Sequence, residues 1–193
     1  MHIFSKLGWN VINIISLEEL TSENRKCLAN FYRSSLSKGN DIISIREEID
    51  MTNNYLLIQR MRYSNYLEYD INVDVAMLDF SIPKLTLQPL VENSIYHGLK
   101  YKGGKGKLEI KGYVSGNQVI MEVSDNGVGI PEERIAGLLT SFVDKTRNED
   151  FGLGSVNRRL KILYGNEYGV MIDSKVGLYT KIVITIPAVK MKG

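Results

Sequence analysis

The stretch that decides the fold is LQPLVENSIYHGLK, residues 87–100, which has the apolar spacing of an amphipathic helix but carries Glu92, Asn93 and His97 in its middle. Asn93 and His97 are four residues apart and therefore share a face of that helix. An amide oxygen facing a cavity is a suitable ligand for Mg²⁺, which takes oxygen ligands and usually keeps water and substrate phosphates as the others. Taken alone, Asn93 fits a solvent-facing helix position equally well.

The composition bounds the possible functions. The chain has 193 residues, 44% hydrophobic and 24% charged, which is the balance of a globular protein. A formal net charge of +2 gives no bulk electrostatic reason to expect nucleic acid or an anionic membrane surface as a partner. A single cysteine, Cys27, excludes an intrachain disulfide. The pattern changes near residue 66, which predicts a helical segment over residues 1–66 and an α/β domain over residues 67–193.

The first segment contains two helical patterns. Residues 11–36 repeat apolar side chains at helical spacing and indicate one broken helix or two short ones. Ser44 and Glu47 have the spacing of a capping box, which predicts a helix over residues 45–65. The stripe along this helix is close to a heptad seam, so packing against a partner helix is expected. Dimerisation is predicted through Ile49, Leu56 and Tyr63 of this stripe, whose other members are Ile45, Thr52 and Gln59.

The second segment alternates strand and helix signals. Residues 67–75 alternate as a half-buried strand does, and a hairpin and a later strand pair are predicted further along. Pro83 is predicted to open the helix that contains residues 87–100, because its fixed φ suits a first helical turn. Pro89 then lies inside that helix, where it removes one backbone donor and is expected to produce a kink.

A second polar cluster is SDNGVGIP, residues 124–131, at the end of a predicted strand. Asp125 can accept hydrogen bonds from the exocyclic amine of a ligand. Gly127 and Gly129 would let the ligand approach the backbone, since no Cβ stands in the way. A common Asp-Asn-Gly turn is the alternative.

A third cluster is FGLGSVNRRL, residues 151–160, where Gly152 and Gly154 precede a predicted helix. The free amides of a first helical turn make a site suited to phosphate. The pattern is neither the GxxxxGK[ST] phosphate loop nor the GxGxxG dinucleotide fingerprint, and an ordinary helix cap explains it about as well.

In this order, the three clusters resemble the N, G1 and G2 boxes of the Bergerat-type ATPase fold. The longer stretch IPKLTLQPLVENSIYHG resembles the C-terminal region of sensor histidine kinases of the autolysin-regulator and YehU-like type, and the resemblance runs from about residue 31. It implies an α+β chain with an N-terminal helical dimerisation segment. A Bergerat-type α/β sandwich would follow, with a mixed sheet of about five strands and three helices on one face.

The resemblance also implies residue roles on the phosphate side of an ATP pocket. Asn93 of the N box would hold Mg²⁺ bridging the phosphates, and His97 would line the pocket. A lid over the phosphates would occupy roughly residues 131–151. Its hinge would be formed by Gly152, Leu153 and Gly154 of the G2 box.

On the adenine side, the resemblance assigns Asp125 to the amino group of the base. Gly127 and Gly129 would give the base room, and Thr180 in GLYTKIVITIP would lie near it.

The implied activity is ATP-dependent transfer of a phosphoryl group to a histidine and onward to an aspartate of a response regulator. The implied whole protein is a homodimer anchored in a bacterial membrane, with this chain in the cytoplasm. Two alternatives remain: a nucleotide-sensing dimeric scaffold without turnover, and a serine kinase of the anti-sigma-factor type, which shares the fold.

The phosphoacceptor is where the sequence departs from that family, whose acceptor histidine lies in an NPHFLxN-type motif. His2 is the histidine in that neighbourhood, but IFSKLGWN follows it and no Asn-Pro precedes it. Three interpretations stay open: His2 is the acceptor in a divergent motif, the true acceptor lies before residue 1, or the first residues come from cloning.

Overall fold

The computed structural model describes residues 41–140 and 152–191. His2, the predicted helices of residues 11–36 and the last part of the predicted lid lie outside the described residues. Within the described ranges, no helix is both long enough and apolar enough to cross a membrane.

A mixed sheet of five strands forms the centre of the domain. The strands are β2 (Leu67–Val73), β4 (Gly106–Ser115), β5 (Gln118–Asp125), β6 (Gly169–Lys175) and β7 (Tyr179–Pro187). Their order in the sheet is β2-β4-β5-β7-β6, in which β2 pairs with β4 in parallel and the other neighbours are antiparallel. A separate ladder joins β1 (Ile42–Ser44) to β3 (Ser81–Pro83). The predicted mixed sheet is confirmed, and the small ladder is an addition to it.

Helices cover one face of this sheet, and alternate strand residues on that face are buried with them in one core. The described residues contain four α-helices, of which three lie after residue 67, the number predicted for the sandwich, and one lies before it. They are α1 (Ile45–Arg62), α2 (Gln88–Asn93), α3 (Glu132–Thr140) and α4 (Leu153–Tyr164). The opposite face of the sheet carries the more exposed positions of each strand, so this architecture is an α/β sandwich of two layers.

Helix α1 begins where the capping box predicts. The Ser44 hydroxyl accepts from the Glu47 amide at 3.2 Å, and the Glu47 carboxylate accepts from the Ser44 amide at 2.9 Å. The apolar stripe of α1 has a different use from the predicted one. Ile49 and Leu56 are buried in this chain's own core, beside residues of the sheet, and Tyr63 packs against the edge of that core. The prediction that this stripe contacts a partner chain is therefore wrong, because the domain's own sheet and helices already cover it.

The two prolines of the central segment have roles opposite to those predicted. Pro83 ends strand β3 instead of opening a helix, and its partner in the ladder is Ile42. Pro89 lies in the first turn of α2, where the amide that proline lacks has no acceptor within the helix. The expected kink is therefore absent, since the helix begins at Gln88 and not near Pro83.

Candidate functional site

The helix that carries the first polar cluster changes its winding within the cluster. After α2, residues Ser94–Gly98 form a π-helical turn, and a 3₁₀ turn, Leu99–Tyr101, follows. A π turn widens the helix locally and is often found at functional sites. Ser94 and Gly98 are buried towards the sheet, while Asn93 is half-buried and His97 exposed. The predicted pair Asn93 and His97 therefore lies on the solvent side of the helix, and the neighbouring pair Ser94 and Gly98 lies on the side that faces the sheet.

Asp125 ends β5 beneath that π turn, with only 3% of its surface exposed. Its Oδ1 accepts a hydrogen bond from the Gly127 amide at 2.9 Å. Within the described residues, neither its Oδ2 nor the neighbouring Ser94 hydroxyl reaches a partner at normal hydrogen-bond geometry, although both atoms are buried. Such an unsatisfied buried oxygen is costly and calls for a ligand or ordered water. Asp125 can therefore accept a hydrogen bond from a donor outside the protein.

The electrostatics of Asp125 follow from the same burial. Burial raises the pKa of Asp125 from 3.8 to about 6, because an apolar environment disfavours the charged form. The nearby Ser94 hydroxyl, the hydrogen bond from the Gly127 amide and then the charge of Lys102 act in the opposite direction without cancelling this effect. A donor such as an exocyclic amine would stabilise the ionised form of Asp125.

Thr180 lies beside Asp125 in the sheet. The two residues are direct partners in the β5–β7 ladder, and Thr180 is also buried. On the next strand, Ser174 is the ladder partner of Thr180, and their hydroxyl oxygens are 3.1 Å apart. The Ser174 hydroxyl donates to the Tyr179 carbonyl at 2.7 Å and accepts from the Ile130 amide at 2.8 Å. One polar row therefore crosses three strands.

Ser174 is a residue that the sequence reasoning missed. Its signal was its position near the end of a predicted strand that pairs with the strand of Thr180, but an alternating strand gives no register by itself. Ser94 and Gly98 were also missed as residues next to Asp125, because the sequence predicts a regular helix and not the π turn that places them there.

The glycines of the second cluster have a packing role that the sequence did not predict. A Cβ on Gly127 would lie 2.4 Å from the backbone carbonyl carbon of Gly98, and one on Gly129 would lie 2.3 Å from the Lys175 carbonyl oxygen. Gly129 also has φ +71°, which favours glycine. The turn is wedged between the π turn and the β6–β7 connection. Protein packing therefore requires glycine at both positions, and the room they would give to a base stays a prediction.

The third cluster begins α4. Gly152 is the N-cap, and its carbonyl accepts from the Ser155 amide at 3.0 Å, but no side chain caps the helix. Leu153 and Gly154 are buried in the first turn, and α4 contacts α2. The first-turn amides are therefore free of a side-chain cap and close to the helix of Asn93, as an anion site requires. Of the predicted lid, the described part is α3, which packs against α4 and β6.

A metal ion at this site would need most of its ligands from bound phosphate and water rather than from the protein. Among the described residues, no three acidic, histidine or cysteine side chains are grouped closely enough to hold a metal ion. Asn93 offers one amide oxygen. That donor set fits Mg²⁺, which is usually held by few protein ligands together with phosphates and water, but it does not fit a structural metal with a full protein cage.

Residues 82–190 match the family model of the histidine kinase-, DNA gyrase B- and HSP90-like ATPases, and this match covers more than half of the chain. The chain belongs to this ATPase family. Residues 9–67 match a second family model, described as histidine kinase. Together the two matches assign the chain to the histidine kinases by family and confirm the resemblance drawn from the sequence.

Individual relatives agree with that assignment. The uncharacterised protein YwpD of Bacillus subtilis strain 168 is 36% identical over 96% of this chain and 67% of its own length. The sensor histidine kinase YesM of the same organism is 34% identical over 80% of this chain, but the match covers only 26% of YesM. The catalytic domain of the histidine kinase ThkA has a similar fold, with a TM-score of 0.56 and 16% identity over 78% of this chain and 97% of that domain.

Proposed function

We propose that this chain is the ATP-binding catalytic region of a two-component sensor histidine kinase. In this proposal the γ-phosphate of ATP passes to a histidine and from there to an aspartate of a response regulator. The observation that carries the proposal is the buried, unsatisfied Oδ2 of Asp125 next to the Ser94 hydroxyl, in a domain that belongs to the ATPase family.

The adenine side of the proposed pocket consists of the polar row across three strands. Asp125 Oδ2 would accept from the amino group of the base, and the Ser94 and Thr180 hydroxyls could reach a ring nitrogen directly or through water. A polar contact of this kind gives specificity, because a base without the amino group would leave the buried carboxylate unpaired.

On the phosphate side, Asn93 and His97 lie at the outer face of the helix, and the uncapped first turn of α4 lies nearby. Mg²⁺, when bound, neutralises phosphate charge and polarises the γ-phosphoryl group. The chain's own contribution would be positional: Asn93 supplies an oxygen ligand, and the α4 amides orient the phosphates. The attacking group would be the imidazole of the acceptor histidine, so the pocket needs no base of its own.

The extent of the catalytic unit is a further part of the proposal. The match to the histidine kinase model ends at residue 67, and the match to the ATPase model begins at residue 82. Because α1 shares the core of the sheet, we place it with the catalytic unit, which then begins near residue 41. We also propose that the whole protein is a homodimer held by segments other than the stripe of α1. It would be anchored in a bacterial membrane with this chain in the cytoplasm.

The first test is calorimetric titration of the chain with ATP, with and without Mg²⁺. Asn93→Ala should weaken ATP binding mainly in the presence of Mg²⁺, because it removes a metal ligand and leaves the adenine contacts intact. The matched control is Asn72→Ala, which changes an exposed asparagine on β2 and should leave binding unchanged. Failure of the wild-type chain to bind ATP would contradict the proposal.

The second test supplies γ-labelled ATP and a separate acceptor domain that contains the histidine motif of a related kinase. Acid-labile label on the acceptor supports histidine phosphorylation. Acid-stable label would favour a serine kinase, and nucleotide binding without any label would favour a scaffold.

A further inference from the structure

The loop of residues 84–87, which joins β3 to α2, has an unusual backbone. Leu85 has φ +59° and is the one non-glycine residue with positive φ among the described residues. A bulky residue in this region is strained, so the surrounding structure must hold the loop in place. The loop matters because it leads directly into the helix that carries Asn93.

The amide groups of the loop point at one buried carboxylate. Glu48 of α1 accepts from the Thr86 and Leu87 amides through Oε1, at 2.7 and 2.8 Å, and from the Leu85 amide through Oε2, at 2.9 Å. Only 1% of Glu48 is exposed. Three donors on one carboxylate fix the loop relative to α1 far more tightly than apolar contact does, because each bond is directional.

The carbonyl groups of the loop point the other way, at a half-buried guanidinium. Arg159 of α4 donates to the Lys84 carbonyl at 2.8 Å, to the Leu85 carbonyl at 3.1 Å and to the Thr86 hydroxyl at 2.9 Å. The peptide groups of the loop therefore lie between a negative and a positive side chain, each facing the complementary end of the peptide dipole. The two charges attract each other across the loop without a direct ion pair.

This arrangement joins three parts of the chain at one short segment. Glu48 belongs to the helix that follows the N-terminal segment, Arg159 belongs to the helix that starts at the G2 glycines, and the loop begins the Asn93 helix. We propose that Glu48 and Arg159 are positioning residues that hold loop 84–87 from both sides and so couple nucleotide binding at the α2–α4 site to the position of α1. This inference rests on the proposed function, since it gives a regulatory route into that same nucleotide site.

Glu48 and Arg159 together form a clamp on loop 84–87. A clamp that couples the nucleotide site to α1 can be distinguished from one that only stabilises the fold. A clamp that only stabilises the fold changes the fraction of folded protein and leaves the affinity of the folded molecules unchanged. A coupling element changes the affinity itself, and nucleotide binding in turn changes the loop, because coupling between two sites is reciprocal.

The experiment is a double-mutant cycle on the dissociation constant for Mg²⁺ and a non-hydrolysable ATP analogue, measured by calorimetry. The variants are Glu48→Gln, Arg159→Lys and the double variant. Each has a matched control one position away, Glu47→Gln and Arg158→Lys, which make the same chemical change outside the clamp. Binding stoichiometry reports the folded fraction separately from affinity.

Coupling predicts that each clamp variant weakens affinity by about fivefold or more, and that the double variant is no weaker than the more affected single variant. The stoichiometry should stay near that of the wild type and the controls should bind normally. Unchanged affinity in both clamp variants, or additive losses, would overturn the proposal. A wild-type chain that does not bind the analogue would refute the nucleotide site itself and the coupling with it.

Variants that fail to fold leave a test in the wild-type chain. Hydrogen exchange by NMR follows the amides of Leu85, Thr86 and Leu87, which are the three donors to Glu48. Their exchange should slow when the analogue binds. If exchange at all three is unchanged under saturating analogue, loop 84–87 does not couple the site to α1.

Discussion

Glu48 and Asp125 are both almost completely buried carboxyl groups, but their surroundings differ. Glu48 accepts hydrogen bonds from three backbone amides and faces the charge of Arg159 across a loop. Asp125 accepts from one amide, and its second oxygen lacks a partner among the described residues. Burial raises the pKa of both groups, and at Glu48 three backbone amides and the charge of Arg159 act against that rise.

The difference separates a carboxylate that builds the domain from one that is prepared for a ligand. A satisfied buried acid stabilises the arrangement around it, and its removal leaves donors unpaired. An unsatisfied buried acid destabilises the unliganded protein, and its cost is recovered when a ligand supplies the missing donor. Opposite effects on stability should therefore follow from removing each one.

The largest effect is expected for Glu48→Ala. It leaves three buried amides without their acceptor and removes the charge that faces Arg159, which should lower the free energy of unfolding by about 3–5 kcal/mol. Urea denaturation measures this change. Glu68→Ala serves as the control, because Glu68 forms an exposed ion pair with Lys105 and should change stability by less than about 0.5 kcal/mol. A loss for Glu48→Ala that equals the control would remove the distinction drawn here.

Asp125→Asn should act in the opposite direction on the unliganded domain. The folded-state pKa of about 6 lies above the ordinary value of 3.8, so the wild type loses stability as pH rises from 3.8 through about 6. At pH 7 the variant should gain about 1–3 kcal/mol because it buries no charge there. Thermal unfolding across pH 4–8 tests both the sign and the window, and ATP titration should show lost binding. A variant less stable than the wild type at pH 7 would contradict the interpretation of Asp125.

A smaller loss is expected for Gly127→Ala, which tests whether the turn beside Asp125 is fixed by protein packing. The new methyl group would meet the Gly98 backbone, and overpacking of this kind should cost about 1–3 kcal/mol. Gly104→Ala is the matched control, because nothing lies within 4 Å of its Cβ position. Equal stability of the two variants would show that the turn accommodates the methyl group and that packing does not require Gly127.

The smallest effect should come from Ser174→Ala, at the far end of the polar row from Asp125. It removes the acceptor of the Ile130 amide and one donor to the Tyr179 carbonyl, so a loss of about 1 kcal/mol is expected. Chemical denaturation gives the value. A loss near that of Glu48→Ala would place Ser174 among the residues that build the domain.

The sequence predicted the elements of the sheet well, because alternation and turn residues are local signals. The capping box of α1 is of the same kind, and Ser44 and Glu47 lie where their spacing placed them. The two prolines were misplaced, since proline suits a strand end as well as a first helical turn. The choice between these depends on the ladder that Pro83 forms with the distant Ile42.

The site residues were recognisable for the same reason as the family, namely their order along the chain. Their surroundings were not, because they depend on pairings between distant segments. Glu48 illustrates the limit: the capping-box spacing identifies its neighbour Glu47, but nothing local predicts that Glu48 is buried. Only the fold brings the loop before α2 against it. The prediction from the heptad-like stripe of α1 was wrong for a similar reason, since an apolar stripe does not indicate whether the same chain or a partner covers it.

The β5–β7 ladder has a consequence for how this chain tolerates insertions. Asp125 and Thr180 are held side by side by that ladder, although the G1 turn, α3, the G2 box and α4 all lie between them in sequence. Loop-closure entropy rises slowly with length, by only about 0.6 kcal/mol for each doubling. Insertions between β5 and β7 should therefore leave Asp125 and Thr180 side by side, because the strand register and not the length of the intervening chain sets their positions.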